Sequence, residues 1–333
     1  MPIPKPAKKE RKNRFISRCV SFLVDEGLST ERSVAICERE FDISRIRGGE
    51  DLEDIQEDNK IFDLPREYNE ESLIAGVYEG VVTPRKLPED LYSFTALSLM
   101  GASWFSFGLP SEFERGLPWL TARQNALRLE RAIVIKNNLS VFSGAKTFQN
   151  VVDLSNAVFD DAGVLRPFSE FKKVALSINK QYNKNWLATE YQAAFRQAES
   201  SETWLRIQED KNRLPLLKYV TVGDDRVRPE HSSKNGLIYP VDHTFWKTWM
   251  PPNGWYCRCI AIQLSEGVVS DELFPPNEDN SFGRNIGEEG IIFPKTHPYL
   301  DVPSGFKKAK MENFGLNTPS DNEVRKFIKI DEG

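Results

Sequence analysis

The stretch YVTVGDDRVRPEH at residues 219–231, followed by PPNGWYCRC at residues 251–259, decides how the fold is interpreted. The first piece begins with a short β-like run, and two further runs of this kind lie at residues 237–239 and 260–262. Loops rich in Pro, Gly, Asp and Trp separate the three runs. This part of the sequence therefore predicts a compact α+β unit with short strands and long ordered loops.

The residues before Pro215 have the spacing of helices instead. Apolar side chains recur every three or four positions between Phe171 and Ile207, which predicts a long helix packed on a helical body. Nearer the N-terminus, a small helical hairpin is predicted, in which Cys19 and Cys37 pack as buried thiols rather than as a disulfide. The expected fold class is α+β, with a mainly helical N-terminal body followed by a small C-terminal α+β domain.

Changes in composition divide the chain into six segments. A basic tail opens the chain, and a self-repelling acidic linker follows the hairpin. The predicted segments are the basic tail 1–14, the helical hairpin 15–47, the acidic linker 48–63, the helical body 64–212, the α+β domain 213–306 and a tail 307–333.

Composition excludes several classes of protein. The chain has 333 residues, a formal net charge of −5 and 40 % hydrophobic residues, which is typical of a globular protein with a real core. Four Cys and three His are too few for a disulfide scaffold or a large metal cluster. The charge-free stretch Leu91–Ser111 is too rich in hydroxyls for a membrane span, so we expect a buried helix or a docking face there.

The C-terminal third holds a dense cluster of chemically capable groups, including two of the three His and two of the four Cys. The helix YNKNWLATEYQAAFRQA precedes this cluster at residues 182–198, and GIIFPKTHPY follows it at residues 290–299. In order and spacing these pieces resemble the phage Mu F-like minor head proteins, also called phage head morphogenesis proteins. The resemblance is good over residues 168–299, loose over 65–167 and absent in the hairpin.

The resemblance implies a non-enzymatic minor head protein of a tailed phage or prophage. Such a protein is associated with the portal, contacts capsid or scaffold components, and is located in the virion and, during assembly, in the host cytoplasm. Some family members are linked to DNA packaging or ejection. The resemblance also implies a structural core at the family's motif positions, which here are Asp225, Arg228, His231, Gly236, Pro252, Cys257, Arg258 and Cys259.

A structural zinc ion is one interpretation of the Cys/His cluster. In one branch of the family a Cys-x-x-Cys stands where this chain has Arg228 to His231, and with the later Cys-x-Cys it gives four thiolates, a sensible zinc set. This chain departs from that pattern at both positions. A zinc site would need His231, Cys257, Cys259 and a substitute such as His243 or Asp242.

The metal-free interpretation is a polar knot. Arg228 and Arg258 would form forked ion pairs with Asp224 or Asp225, His231 would be hydrogen-bonded, and both thiols would be packed. The sequence alone leaves both interpretations open.

Two other functions remain as alternatives. The Asp, His and Cys cluster could serve a metal-dependent nuclease or hydrolase, although no recognisable catalytic motif accompanies it. A DNA-binding accessory protein is the other alternative, and its DNA contacts would come from the basic tail. The stretch Leu91–Ser111 and the hairpin are the surfaces expected to dock on portal or capsid. The candidate DNA-contacting residues are Lys8, Lys9, Arg11, Lys12 and Arg14.

Overall fold

The structure is a computed structural model that describes residues 15, 18–22, 68–106, 122–279 and 281–316. The chain divides into two compact units, residues 1–60 and residues 61–333. The basic tail, the acidic linker and most of the predicted hairpin lie outside the described residues.

In the first unit, residues 18–22 are helical and the side chains of Phe15 and Cys19 are fully buried. Cys19 is disulfide-bonded. The expectation of a free thiol at this position is therefore wrong.

In the described part of the second unit, five helices and one π-helical segment form the body. The first helix begins where the side chain of Asn69 accepts the backbone N–H of Ser72, with two glutamates in the first turn. The π-helical segment joins the last two helices into one rod. The elements are α1 (Glu70–Tyr78), α2 (Glu89–Ser106), α3 (Ala122–Asn156), α4 (Phe168–Lys180), the π segment (Gln181–Trp186) and α5 (Leu187–Asp210).

Helix α2 is a core helix that packs against α3 and α5. Leu91, Leu99 and Ala102 are almost completely buried, and the hydroxyls of Ser98 and Ser103 donate to carbonyls of their own helix. Internal bonds of this kind let a hydroxyl-rich helix enter the core. The structure thus favours a buried helix over a docking face for residues 91–103. None of the helices in the described part of the chain is long and apolar enough to cross a membrane.

A three-stranded antiparallel sheet follows, with β1 (Leu216–Val220) between β2 (Ile238–Pro240) and β3 (Ile260–Leu264). Leu217 and Tyr219 are buried while their neighbours are half-exposed, as alternation along a strand requires. The predicted α+β class is confirmed.

Two short helices, α6 (Pro229–Ser232) and α7 (Phe245–Trp249), cover this sheet. Trp246 is fully buried and Trp249 nearly so, in the same core as Tyr219. Both tryptophans therefore belong to the apolar core of this part of the fold.

The chain then returns to the helical body. After α8 (Ile286–Glu289), residues 291–316, here called the strap, run along α3. The Asn138 side chain accepts the backbone N–H groups of Ile292 and Phe293, and it donates to the Phe293 carbonyl. The remaining elements of the strap are 3-10 turns at Pro298–Leu300, Ser304–Phe306 and Asn313–Gly315, and the short helix α9 (Lys307–Met311).

Candidate functional site

A buried thiol–imidazole cluster lies beneath the sheet. Nδ1 of His231 is 3.7 Å from the sulphur of Cys257 and 3.7 Å from that of Cys259. The three residues are 3 %, 5 % and 5 % exposed, so bulk water has almost no access to their donor atoms. Among the described residues, this is the one group of three or more metal-ligating side chains whose atoms lie within 4.8 Å of one another.

The local backbone explains why these side chains converge. Arg228 is extended and Pro229 begins α6, which sets His231 on the buried side of that short helix. Tyr256 adopts a left-handed backbone with φ of 57°, and the N–H of Cys257 bonds to the Gly254 carbonyl. The tight turn is followed by extended chain, in which alternate residues point to the same side. Both cysteines therefore face the imidazole.

The two thiols have unequal acidity. The thiol of Cys259 donates to Cys257 and is the main cause that lowers the pKa of Cys257 well below its ordinary value. His231 and the backbone N–H groups of Asn253 and Cys259 add to this effect. The same interaction raises the pKa of Cys259. Cys257 is thus prepared to be a thiolate, the form of cysteine that binds metals.

Arginine contacts surround the cluster. Arg258 forms a forked ion pair with Asp224, with both N–O distances at 2.6 Å, and this hydrogen bonding lowers the pKa of Asp224 to about 2. Arg228 instead donates to the carbonyl of Trp255 at 2.7 Å. Asp225 is exposed and makes no hydrogen bond or ion pair with another residue in the described ranges. The metal-free arrangement thus contains one of the expected arginine–carboxylate forks.

The remaining motif positions shape the loops around the cluster. The Tyr219 hydroxyl donates to the side chain of Asn253 at 2.9 Å, in a buried contact that the sequence did not suggest. Gly236 has φ of +92°, a conformation that favours glycine, and its N–H bonds to the Tyr219 carbonyl. Pro252 is buried in the loop before the cysteines.

The two substitutes for a fourth metal ligand are placed elsewhere. His243 stacks on Tyr239 with ring centroids 4.4 Å apart, and its Nδ1 accepts the backbone N–H of Phe245. Asp242 pairs with Lys211. The structure therefore brings together His231, Cys257 and Cys259 but not His243. The candidate DNA-contacting residues Lys8, Lys9, Arg11, Lys12 and Arg14 lie outside the described residues.

No carboxylate joins the imidazole and the two thiols in this cluster within residues 122–279. Asp224 is held by Arg258, and the group with metal-ligating geometry contains no carboxylate. General acid–base or two-metal chemistry requires convergent carboxylate and imidazole groups. The nuclease alternative gains no support from this geometry.

A second buried polar cluster was missed in the sequence. Lys146 on α3 forms an ion pair with Glu190 on α5, and both side chains are at most 5 % exposed. Nearby, Tyr182 donates to Asp153 at 2.7 Å. The sequence did contain a signal for this cluster, which is a charged residue within an apolar stripe. Lys146 lies between buried apolar positions of one helix and Glu190 between those of another. Two oppositely charged residues in apolar stripes predict such a pair.

Comparison with known families matches residues 168–262 to Phage Mu protein F like proteins. Putative capsid assembly protein F of Escherichia phage Mu is 38 % identical over 85 residues, covering 26 % of this chain and 19 % of that protein. The Mu-like prophage FluMu F protein of Haemophilus influenzae is 43 % identical over 61 residues, covering 18 % of this chain and 15 % of that protein.

The matched part of the chain thus spans less than a fifth of the length of either relative. No solved structure matches. The resemblance inferred from the sequence is confirmed for residues 168–262.

Proposed function

We propose, on the premise that residues 168–262 belong to the Phage Mu protein F like family, that this chain is a head assembly protein of a tailed phage or prophage. The match over these residues is the observation that carries the proposal, and one relative is named a putative capsid assembly protein. The protein would act through assembly contacts rather than turnover, in line with the printed name of that relative.

The finer part of the proposal concerns its partners and location. The protein would associate with the portal and with capsid or scaffold components, in the virion and in the host cytoplasm during assembly. A role in DNA packaging or ejection would use the basic residues between Lys8 and Arg14, because lysine and arginine bind phosphates with a strong dependence on salt.

Disrupting the gene in its own phage or prophage tests the assembly role. We expect fewer complete heads in electron micrographs and a loss of the chain from purified particles, both restored when the gene is supplied in trans. A second complementing copy that lacks residues 15–47 measures the contribution of the hairpin. Normal numbers of complete, infectious heads without the chain would contradict the proposal.

We also propose that the thiol–imidazole cluster holds a structural zinc ion. Zinc–sulphur and zinc–nitrogen bonds of about 2.3 and 2.05 Å at a tetrahedral angle put sulphur and nitrogen about 3.6 Å apart. The distances of 3.7 Å from His231 Nδ1 to both sulphurs fit this value. His231, Cys257 and Cys259 would hold the ion, and the fourth donor would come from outside this group. Zinc would tie α6 to the chain before β3 and stabilise the fold.

Elemental analysis of protein purified under reducing conditions tests the zinc proposal. We expect about one equivalent, because a structural site is filled in the folded protein. His231→Ala should lose the metal, whereas the matched variant His243→Ala should keep it. If His231→Ala does not fold, a chelator should lower the melting temperature of the wild-type protein. Less than about half an equivalent in the wild type rules the site out.

A further inference from the structure

Strand β3 is an edge of the sheet whose outer side is open. Among the described elements it pairs only with β1. The backbone N–H and C=O of Tyr219 in β1 both bond toward β2. Successive residues of a strand direct these groups to opposite sides, so the even-numbered positions of β1 bond to the even-numbered positions of β3 that lie opposite them. The N–H and C=O groups of Ala261 and Gln263 therefore point away from the sheet.

The two edges of the sheet differ in how they are covered. At the β2 edge, the N–H of Ser270 donates to the carbonyl of Ile238 at 2.8 Å, and the Ser270 hydroxyl oxygen accepts the Ile238 N–H at 3.0 Å. At the β3 edge, the outward backbone groups of Ala261 and Gln263 form no hydrogen bond with any residue in the described ranges. The chain thus closes one edge itself and leaves the other open.

The open edge is fixed in position and lacks the usual protection against pairing. The side chain of Gln263 donates to the carbonyls of Ile207 and Leu214 at 3.0 and 2.8 Å, which holds β3 against the end of α5. Exposed edges are commonly protected by charge, proline or a bulge. The strand IAIQL has no charge and no proline, its register with β1 is uninterrupted, and all five residues are partly exposed. Such an edge is suited to binding another extended strand.

We propose that two copies of this chain pair through their β3 strands, which run antiparallel with Ile262 opposite Ile262 of the second copy. Ala261 then lies opposite Gln263 of the second copy, and Gln263 lies opposite Ala261 of the second copy. Each of these opposed pairs would exchange two N–H to C=O hydrogen bonds. All the outward backbone groups of both strands would be used, and the two sheets would become one continuous sheet.

The open groups favour a second copy of β3 in this register as the occupant. A two-fold contact requires a surface that is complementary to itself. With Ala261 opposite itself, Gln263 would face Cys259 of the second copy, whose N–H is already directed to the Cys257 sulphur. With Gln263 opposite itself, Ala261 would face position 265, which lies beyond the end of the strand. The register centred on Ile262 is the one that pairs both outward residues within the strand.

The side chains also match in this register. Ala261 packs against the core beneath the sheet, so Ile260, Ile262 and Leu264 lie on the opposite face. Ile262 would contact Ile262 of the second copy, and Ile260 would contact Leu264 of the second copy, which are apolar cross-strand pairs. Positions 259–265 carry no charge, so no like charges meet along the paired strands. The contact closes at two copies, because a two-fold interface uses the same surface on both.

Sedimentation velocity of the purified full chain, at concentrations up to about 100 µM, tests the pairing. We expect a concentration-dependent equilibrium between monomer and dimer, since a contact through one short strand is small. Ile262→Lys should weaken the dimer at least about tenfold, because it places two positive charges directly opposite each other. Ile238→Lys is the matched control. Ile238 and Ile262 are both partly exposed and both lie opposite Lys218, but Ile238 is on the closed edge, so the dimer should persist.

A charge-exchange experiment tests the register. Ile262→Lys and Ile262→Glu should each be monomeric alone. An equimolar mixture should form a one-to-one dimer, because the introduced lysine of one copy faces the introduced glutamate of the other, and this recovery also shows that both variants are folded. Ala261→Pro should weaken the wild-type dimer too, since it removes an outward N–H that no bond within the described chain uses.

Hydrogen exchange identifies what occupies the edge. Exchange of the Ala261 and Gln263 amides should slow as the concentration of the wild type rises. Slow exchange in a monomer would mean that another segment of the same chain covers the edge, and this would overturn the proposal. So would a monomeric wild type, unchanged dimerisation of Ile262→Lys, equal loss in Ile238→Lys, a mixture without dimer, or binding of another protein's extended segment to a monomeric chain. The purified chain suffices, so the result does not depend on the assembly role.

Discussion

At the scale of single residues, a close approach between two helices depends on a missing side chain. Gly287 in α8 lies directly over Trp204 in α5, and a Cβ atom there would be 2.1 Å from the Trp204 Cβ. Real carbon atoms do not approach so closely, so any side chain would push α8 away from α5. Trp204 also belongs to the core beneath the sheet. One glycine therefore sets how closely α8 packs on α5.

We expect Gly287→Ala to lower the free energy of unfolding by about 1–3 kcal/mol, the usual effect of overpacking a core. Urea unfolding measures the change, and the midpoint should fall while the slope stays constant. Gly305→Ala is the control, because a Cβ at Gly305 meets no atom within 4 Å. Equal stability of the two variants would show that α8 moves freely relative to α5.

At the scale of elements, the strap is fixed to α3 by side chains that replace sheet or helix bonding. The Asn138 side chain accepts two backbone N–H groups of the strap and donates to one of its carbonyls. Phe142 stacks on Phe293 with ring centroids 3.7 Å apart. Further along, Gln149 donates to the carbonyls of Tyr299 and Asp301. Side chains of α3 therefore supply hydrogen-bond partners for part of the strap backbone, and the strap's own turns supply others.

Replacing Asn138 with alanine should release the start of the strap. We expect a loss of about 1–3 kcal/mol in the free energy of unfolding, because two partly buried N–H groups lose their acceptor. Hydrogen exchange should accelerate at Ile292 and Phe293. Asn137→Ala, at the exposed neighbouring position, should change neither quantity. Unchanged exchange in Asn138→Ala would mean that aromatic packing alone holds the strap.

Sequence patterns predicted the elements better than their contacts. The three strands around 216–264 have local apolar runs, and the convergence of His231 with the two cysteines followed from the family pattern. The contact of Asn138 with Phe293 joins residues 155 positions apart, and no local pattern encodes it. The same holds for Lys146 and Glu190. The sequence shows the apolar face of each helix, but not which helices pack together. These contacts depend on that packing.

At the scale of the whole molecule, stability should depend on pH through His297. Burial first, and the charge of Lys146 second, lower the pKa of His297 from 6.5 to about 4. The His297 imidazole therefore binds a proton near pH 6.5 in the unfolded chain but only near pH 4 in the folded chain. The contribution of the neutral imidazole to the free energy of unfolding is fully present above pH 6.5. It is lost progressively as the pH falls to about 4.

We expect this residue to account for about 1–2 kcal/mol of the stability lost between pH 7 and pH 4.5, allowing for its partial exposure. Urea unfolding at both pH values measures the loss. His297→Asn is the comparison, because asparagine can still accept the Tyr299 N–H that His297 accepts, without titrating. The same pH dependence in wild type and variant would exclude His297 as the cause.

The position of the strap also affects how the protein is made. During synthesis α3 leaves the ribosome about 150 residues before the segment that covers it. Synthesis proceeds at roughly 5–20 residues per second. The aromatic side chains of Phe142 and Phe148 therefore lack their stacking partners, Phe293 and Phe314, for on the order of ten to thirty seconds. The nascent chain is therefore most prone to aggregation just before its last described segment docks, and translation that stalls within the strap prolongs that interval.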